Sequence, residues 1–260
     1  MIPAFTLTGR VALVTGAGNP KGIGFASAQI LASLGASVMI SSTTNRIEQR
    51  VAELRDLGAA VHGIPGDLTD PTFAEHLISE TQTTFGSLDI LVQNAGMTSI
   101  SNPEPAAGTI ETTTPQQWHE GIARNLDSTY FVAKAAMPAM QQAQWGRMIF
   151  IASVTGPAMA MRGEPIYAAA KAGMVGLARA LAVDVADQGI TVNAIAPGWI
   201  QTDSQTPAEY RQGLATPMGR SADPSEIASA VAWLAAPGSS YMTGQCIVVD
   251  GGNSISEERG

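Results

Sequence analysis

The chain has 260 residues, 45% of them hydrophobic and 14% charged, with 14 basic against 22 acidic side chains and a formal net charge of −8. Length and apolarity exclude intrinsic disorder as the main state, and the acidic balance excludes the basic face that a nucleic-acid partner requires. The lone Cys246 excludes an intramolecular disulfide, no stretch reads as long and uncharged enough to span a bilayer, and the first residues lack the basic lead of a signal peptide, so a cytoplasmic protein with no membrane partner is expected.

Residues 11–14 form the first of several short, continuously apolar runs, which suit strands covered on both faces. A glycine-rich turn follows, then a helical face of Ile23, Ser27, Ile30, Leu31 and Leu34 that stops at Gly35. Strand 38–40 precedes a second helical face, Ile47, Val51 and Leu54, which ends at Gly58. Strand 61–64 leads to Asp70-Pro71, a capping side chain ahead of a proline suited to the first helical position. After strand 88–92 comes a polar excursion over 97–114, with Pro103, Pro105 and Gly108, too long for an ordinary connection. Thr114-Pro115 opens another helix, 147–151 and 190–195 read as strands, and Asp223-Pro224-Ser225-Glu226 is a capping box ahead of the last strand, 246–249. Strand and helix alternate, which predicts one α/β domain over 1–260: a Rossmann-like doubly wound parallel sheet of seven strands with helices on both faces.

The turn after the first strand reads Thr15-Gly16-Ala17-Gly18-Asn19-Pro20-Lys21-Gly22-Ile23-Gly24. Glycines let backbone N–H groups approach a pyrophosphate, and the helix N-terminus adds partial positive charge. Position between a strand and a helix near the N-terminus is the context a dinucleotide site requires. An enzyme specific for NAD places an acid at the end of the second strand; here Ser41-Ser42-Thr43-Thr44-Asn45-Arg46 has none. A carboxylate there would repel a 2′-phosphate, whereas Ser42, Thr43 and Arg46 can bind one, with Lys21 as a second cation. NADP(H) is favoured, and NAD(H) stays admissible. Residues 1–96 form mainly the dinucleotide-binding half, and 97–260 the catalytic and substrate half with a lid over about 203–220.

Tyr167 and Lys171 lie at the i, i+4 spacing of one helix face. A tyrosine with its ordinary pKa of about 10 is a poor acid or base at neutral pH, and lowering it to about 7 takes roughly 4 kcal/mol. A lysine cation at about 4 Å in an effective dielectric near 20 supplies about that much. Such a pair can exchange a proton with a carbonyl/alcohol couple. Ser153 follows the fifth strand, at the carboxyl edge where open α/β sheets bind ligands. Asn125 sits in the helix after Trp118; Asp67-Leu68, Asn94-Ala95-Gly96 and Pro197-Gly198-Trp199-Ile200-Gln201-Thr202 each follow a strand.

With these motifs in order, from Thr15-Gly16 to Val249-Asp250-Gly251-Gly252, the chain resembles the short-chain dehydrogenases/reductases essentially end to end. The resemblance implies that Tyr167 is the catalytic acid/base, that Lys171 lowers its pKa and holds the nicotinamide ribose, that Ser153 bonds the substrate oxygen, and that Asn125 positions a water linking Lys171 to solvent. It further implies that Gly16, Gly18, Gly22, Ile23 and Gly24 cradle the phosphates. Asp67 and Leu68 would border the adenine. Asn94, Ala95 and Gly96 would line the adenosine ribose side, and Pro197, Gly198, Ile200 and Thr202 the nicotinamide amide. The turn departs from the family in having five residues between Gly16 and Gly22 rather than three, and Gln93 stands where many members have Asn.

His62, His76 and His119 form no ligand spacing, so no metal is expected. Cys246 reads as a small core residue of a buried strand. Met97, Met159, Met161 and Met218 are candidates for the lining of a substrate pocket. The expected function is reduction of a ketone or oxidation of a secondary alcohol, as in the 3-oxoacyl-carrier-protein reductases and carbonyl reductases that the whole pattern looks most like. Sugar or polyol dehydrogenases share the constellation, and a catalytically silent dinucleotide sensor would not need all four catalytic groups. A carrier-bound substrate requires a local basic patch on this acidic chain, for which Arg124, Arg162, Arg211 and Arg220 are the candidates. Alanine-rich helices and the family likeness imply a homotetramer.

Overall fold

The computed structural model describes residues 3–96 and 107–257. Seven parallel strands form one sheet in the order β3-β2-β1-β4-β5-β6-β7. They are β1 (Val11–Val14), β2 (Ser37–Ser42), β3 (Val61–Pro65), β4 (Ile90–Gln93), β5 (Gly146–Ile151), β6 (Ile190–Pro197) and β7 (Cys246–Val249). Val14 stands level with Ile40 on one side and Val92 on the other, and the chain reverses direction across the sheet between β3 and β4. The crevice at that reversal is where doubly wound sheets hold ligands.

Side chains alternate through the sheet. Ala12 and Val14 join one core with α1 (Ile23–Ser33), α2 (Ile47–Asp56) and α8 (Pro224–Ala235), and Leu13 faces the other core. That second core packs α3 (Pro71–Phe85), α5 (Ser128–Ala143) and α6 (Pro165–Val185). β1 is buried at every position, as its unbroken apolar run requires. β7 differs. It is an edge strand, Cys246 is only half-buried against the second core and Val248 is exposed, so the expected buried strand is corrected: among the described residues no further strand pairs beyond it.

The helix starts follow their caps. Asp70 accepts the Thr72 N–H at 2.8 Å, and Gly86 ends α3 with φ at 86°. Thr114 with Gln117, Thr206 with Glu209 and Asp223 with Glu226 close capping boxes on α4 (Pro115–Ile122), α7 (Pro207–Leu214) and α8. Most of the 97–114 excursion, with Met97, Pro103 and Pro105, falls outside the described residues; Gly108 donates to the Gly163 carbonyl at 2.8 Å. Pro165–Gln188, α6 and its 3₁₀ extension, has a mean hydropathy of 1.4 and is long and apolar enough to cross a bilayer, contrary to the sequence reading. It packs on β5 and β6 and carries the buried Lys171.

Candidate active site

Parallel register brings the strand ends to one edge, and Thr15 is the hub there. Its hydroxyl donates to Gln93 Oε1 at 2.7 Å and accepts the Asn94 and Ala95 N–H groups at 3.0 and 3.1 Å. Asn94 Nδ2 donates back to the Thr15 and Gly16 carbonyls at 3.2 and 3.1 Å. The Asn94 side chain thus fixes the glycine turn.

Three glycines in this cradle leave no room for a side chain. A Cβ on Gly16, whose φ is 67°, would stand 2.9 Å from Ala95 Cα; on Gly24, 2.6 Å from the Gly16 carbonyl; on Gly18, 2.5 Å from Arg46 Nε and 2.7 Å from Ser42 Cβ. Bare backbone facing a helix N-terminus is what a pyrophosphate needs, so the residues present fit a dinucleotide. Arg46 is exposed beside Gly18, and Ser42 Oγ donates to the Thr44 carbonyl at 2.7 Å, holding the turn that carries Thr43. Asp67 accepts both Thr69 N and Oγ1, at 3.0 and 2.8 Å, while Leu68 is buried in the second core, so its side chain packs inward. Lys21 is corrected. Asn19 Oδ1 accepts its N–H at 2.9 Å, and its Nζ pairs with Asp203 at 3.4 Å, on the segment beyond Thr202, rather than standing by Ser42 and Arg46.

Asn125 lies in a π-helical turn, Ala123–Asp127, between α4 and α5, where the Ser128 N–H reaches back to the Ala123 carbonyl. The wider turn upsets the normal ladder, and side chains take up the carbonyls: Ser128 Oγ bonds that of Arg124 at 2.7 Å, Thr129 Oγ1 that of Asn125 at 2.6 Å. Asn125 Nδ2 donates to the Gly121 carbonyl at 3.1 Å, and its buried Oδ1 has no partner among the described residues. Gly96 lies against this group: a Cβ there would be 2.6 Å from Asn125 Oδ1 and 3.5 Å from Lys171 Nζ. Tyr167 is half-buried on α6, and Ser153 Oγ accepts the Thr155 N–H at 3.1 Å. Lys171 is buried, donates to the Ile151 carbonyl at 2.9 Å and has its Nζ 5.6 Å from the Tyr167 ring centre. Burial pushes its pKa down to about 8. The Tyr167 pKa is raised, by burial first and by Glu164 and Glu209; only the Ser153 hydrogen bond works to lower it. Desolvation of the phenol sets the direction of that shift.

A family model described as enoyl-(acyl carrier protein) reductase matches residues 16–254. The 3-oxoacyl-[acyl-carrier-protein] reductase FabG of Escherichia coli (strain K12) is 40% identical over 248 residues, 94% of this chain and 97% of that protein. FabG of Pseudomonas aeruginosa is 38% identical over 256 residues, 96% of this chain and 100% of that protein. The chain belongs to the short-chain dehydrogenase/reductase family. Among solved structures, a putative gluconate dehydrogenase from Agrobacterium tumefaciens superposes with a TM-score of 0.89 at 31% identity, covering 97% of this chain and 99% of that one. A dehydrogenase/reductase from Sinorhizobium meliloti 1021 gives 0.88 at 31% identity, covering 98% and 99%.

In this short-chain dehydrogenase/reductase the segment after β6 is pinned at both ends. Gly198 donates to the Val249 carbonyl at 3.0 Å, and a Cβ there would lie 2.8 Å from Asp250 Cα. Ile200 bridges Ala222, with Gln201 N donating to the Ala222 carbonyl at 2.8 Å, and the Thr202 hydroxyl pairs with Ser204 at 2.9 Å. The lid between carries α7. Met159 Sδ accepts from Asn253 Nδ2 at 3.4 Å, whereas Met161 and Met218 are 42% and 62% exposed, too open to be sealed pocket lining. The basic patch does not assemble as expected. Arg124 is buried under the π turn with its Nε on the Glu120 carbonyl at 3.3 Å, and Arg220 grips Glu226 through two bonds at 2.6 and 2.8 Å. Arg162 and Arg211 are exposed. The sequence reading missed Thr15, Asp203, Glu164 and Glu209. Of these only Glu164 left a signal, its i, i+3 spacing to Tyr167.

Proposed function

We propose that the protein is an NADP(H)-dependent reductase of 3-oxoacyl esters or thioesters, turning a ketone into a secondary alcohol at the edge where Ser153, Tyr167, Lys171 and Asn125 meet the glycine cradle. The observation that carries this reading is the buried Lys171 with its Nζ 5.6 Å from the Tyr167 ring centre, in a chain 40% identical to a 3-oxoacyl reductase over 94% of its length. A bound nicotinamide dinucleotide supplies the hydride. The Tyr167 hydroxyl, kept protonated by burial, is loaded as the proton donor to the ketone oxygen. Ser153 Oγ already accepts from Thr155 N, so its own proton is free for that oxygen. Lys171 and the unpartnered Asn125 Oδ1 flank Gly96, a pair able to hold a water that returns the proton to Tyr167. Arg46, with no acid at the end of β2, favours NADP(H) over NAD(H).

Arg124 and Arg220 are engaged elsewhere, so a docking patch for an acidic carrier would rest on Arg162 and Arg211; free esters are accordingly included as substrates. Two separate apolar faces support a homotetramer in the cytoplasm. One is a groove of about 380 Å³ on α5 and α6, lined by Tyr130, Met137, Pro138 and Leu181 among others. The other bears the exposed Trp233, Tyr241 and Val248 on and around α8 and β7. The test is reduction of 3-oxo esters followed by loss of NADPH absorbance. Tyr167→Phe is expected to lower turnover at least about 10²-fold while cofactor binding survives. Near-wild-type turnover in that variant would remove Tyr167 from its role.

A further inference from the structure

Lys21 lies in the glycine turn after β1, and Asp203 lies at the start of the lid after β6. In the sheet, β4 and β5 stand between those two strands. At about 4.8 Å per strand, the ends of β1 and β6 are roughly 14 Å apart. The carboxyl ends of β4 and β5, followed by Asn94–Gly96 and Ser153, occupy that interval. Yet Lys21 Nζ stands 3.4 Å from Asp203 Oδ1. The turn and the lid therefore lean towards each other and meet. Among the described residues this is the one ion pair that joins residues 1–96 to the lid.

Both partners are presented by held backbone. Asn19 Oδ1 accepts the Lys21 N–H at 2.9 Å, and the Gly22 N–H donates to the Asn19 carbonyl at 3.1 Å, which closes a tight turn with Lys21 at its tip. The Gln205 N–H donates to the Thr202 carbonyl at 3.0 Å, which sets Asp203 in a turn of its own. Gln205 Nε2 ties that second turn to Ser221 Oγ, on the other root of the lid, at 2.7 Å. Asn19, Pro20 and Lys21 belong to the stretch between Gly16 and Gly22 that is longer than the family's, and the added length carries the cation that meets Asp203. The two side chains are 72% and 45% exposed, so their contact is weak and opens readily.

We infer that the Lys21–Asp203 pair is a latch between the glycine turn and the lid, and that it slows the exchange of the dinucleotide. Both are positioning residues: holding Asp203 also holds the adjoining Thr202, one of the residues expected at the nicotinamide. The inference rests on the dinucleotide part of the proposed function and goes beyond it. Lid opening limits turnover in many enzymes, so a weak contact at a lid root has leverage on rate. Two roles for Lys21 differ in sign at Asp203. If Lys21 served only as a phosphate ligand, Asp203 would partly neutralise it, and removing the carboxylate would strengthen its hold on an anionic cofactor. In a latch, removing the carboxylate frees the lid and speeds release.

The experiment first reads hydrogen exchange over 203–214 in the cofactor-free protein. Lys21→Met and Asp203→Asn should each speed exchange there by about two- to fivefold, the range an exposed ion pair supplies. The charge-swapped double variant, Lys21→Asp with Asp203→Lys, should bring it back towards the wild-type rate. High salt should speed exchange in the wild type and leave Asp203→Asn unmoved. Stopped-flow release of NADPH is read second, and Asp203→Asn should release it about two- to fivefold faster than the wild type. Unchanged lid exchange in both single variants would overturn the latch, and so would NADPH release that is unchanged or slower in Asp203→Asn. A wild type that binds no NADPH would overturn the dinucleotide reading itself, and the exchange pattern of the cofactor-free protein keeps that result distinct from failure of the latch.

Discussion

Lys171 is buried and pairs with no carboxylate among the described residues; its Nζ donates to the Ile151 carbonyl at 2.9 Å, and burial lowers its pKa from 10.5 to about 8. That displacement corresponds to about 3 kcal/mol by which the fold disfavours the ammonium form. The folded value lies below the unfolded one, so the penalty is in full force below about pH 8 and is lifted as pH rises through 8 towards 10.5. Lys171→Met keeps an unbranched chain of similar length and removes the titrating group. Between about pH 7 and pH 10 the cofactor-free wild type should therefore gain roughly 2–3 kcal/mol on the variant. Other titrating groups cancel in the difference. Urea unfolding of both proteins across that range, compared through midpoints and slopes, gives the difference directly. A difference that stays flat, or that moves in favour of the variant as pH rises, would refute the reasoning. The variant should also lose turnover, because the charge that strains the fold is the one facing Asn125 across Gly96.

Arg46→Ala should narrow the preference for NADPH over NADH by about tenfold or more, the worth of a charge-assisted contact of about 1.5–3 kcal/mol; kcat/KM with both cofactors measures it. Gly18→Ala puts a methyl 2.5 Å from Arg46 Nε and should weaken NADPH binding more than NADH binding in a fluorescence titration. Tyr130→Glu with Val183→Glu places charge on the exposed face of α5 and α6 and should reduce the proposed tetramer to a smaller species in light scattering; an unchanged mass would discard that face as an interface.

The fold was legible because a parallel sheet covered on both faces leaves unbroken apolar runs, such as 11–14 and 190–195, punctuated by glycines and capped prolines. The candidate catalytic residues were legible for a related reason: Ser153, Tyr167 and Lys171 sit at fixed offsets from a strand end or along one helix. What stayed hidden depends on contacts between distant segments. The direction of Lys21 is decided by Asp203, far along the chain. The π turn around Asn125 depends on which carbonyls Ser128 and Thr129 reach. The half-burial of Cys246 reflects the place of β7 at the edge, and edge and centre strands of similar composition read alike in one dimension. The sign of the Tyr167 shift eluded the arithmetic because that arithmetic counted the attraction of Lys171 and left out the desolvation of both groups.

The pairing of Ile200 with Ala222, backed by Gln201 on the Ala222 carbonyl and Arg220 on Glu226, brings the two roots of the lid to neighbouring points on the scaffold. A loop whose ends are already held together can be lengthened at little entropic expense, since doubling its length adds only about 0.6 kcal/mol. The sheet, the glycine cradle and the Ser153–Tyr167 pair lie outside that stapled interval, while Glu209 lies within it. The interval 203–219 can therefore be varied with little strain on the sheet and the glycine cradle, so libraries confined to it are a direct test of whether this segment sets the ketone preference.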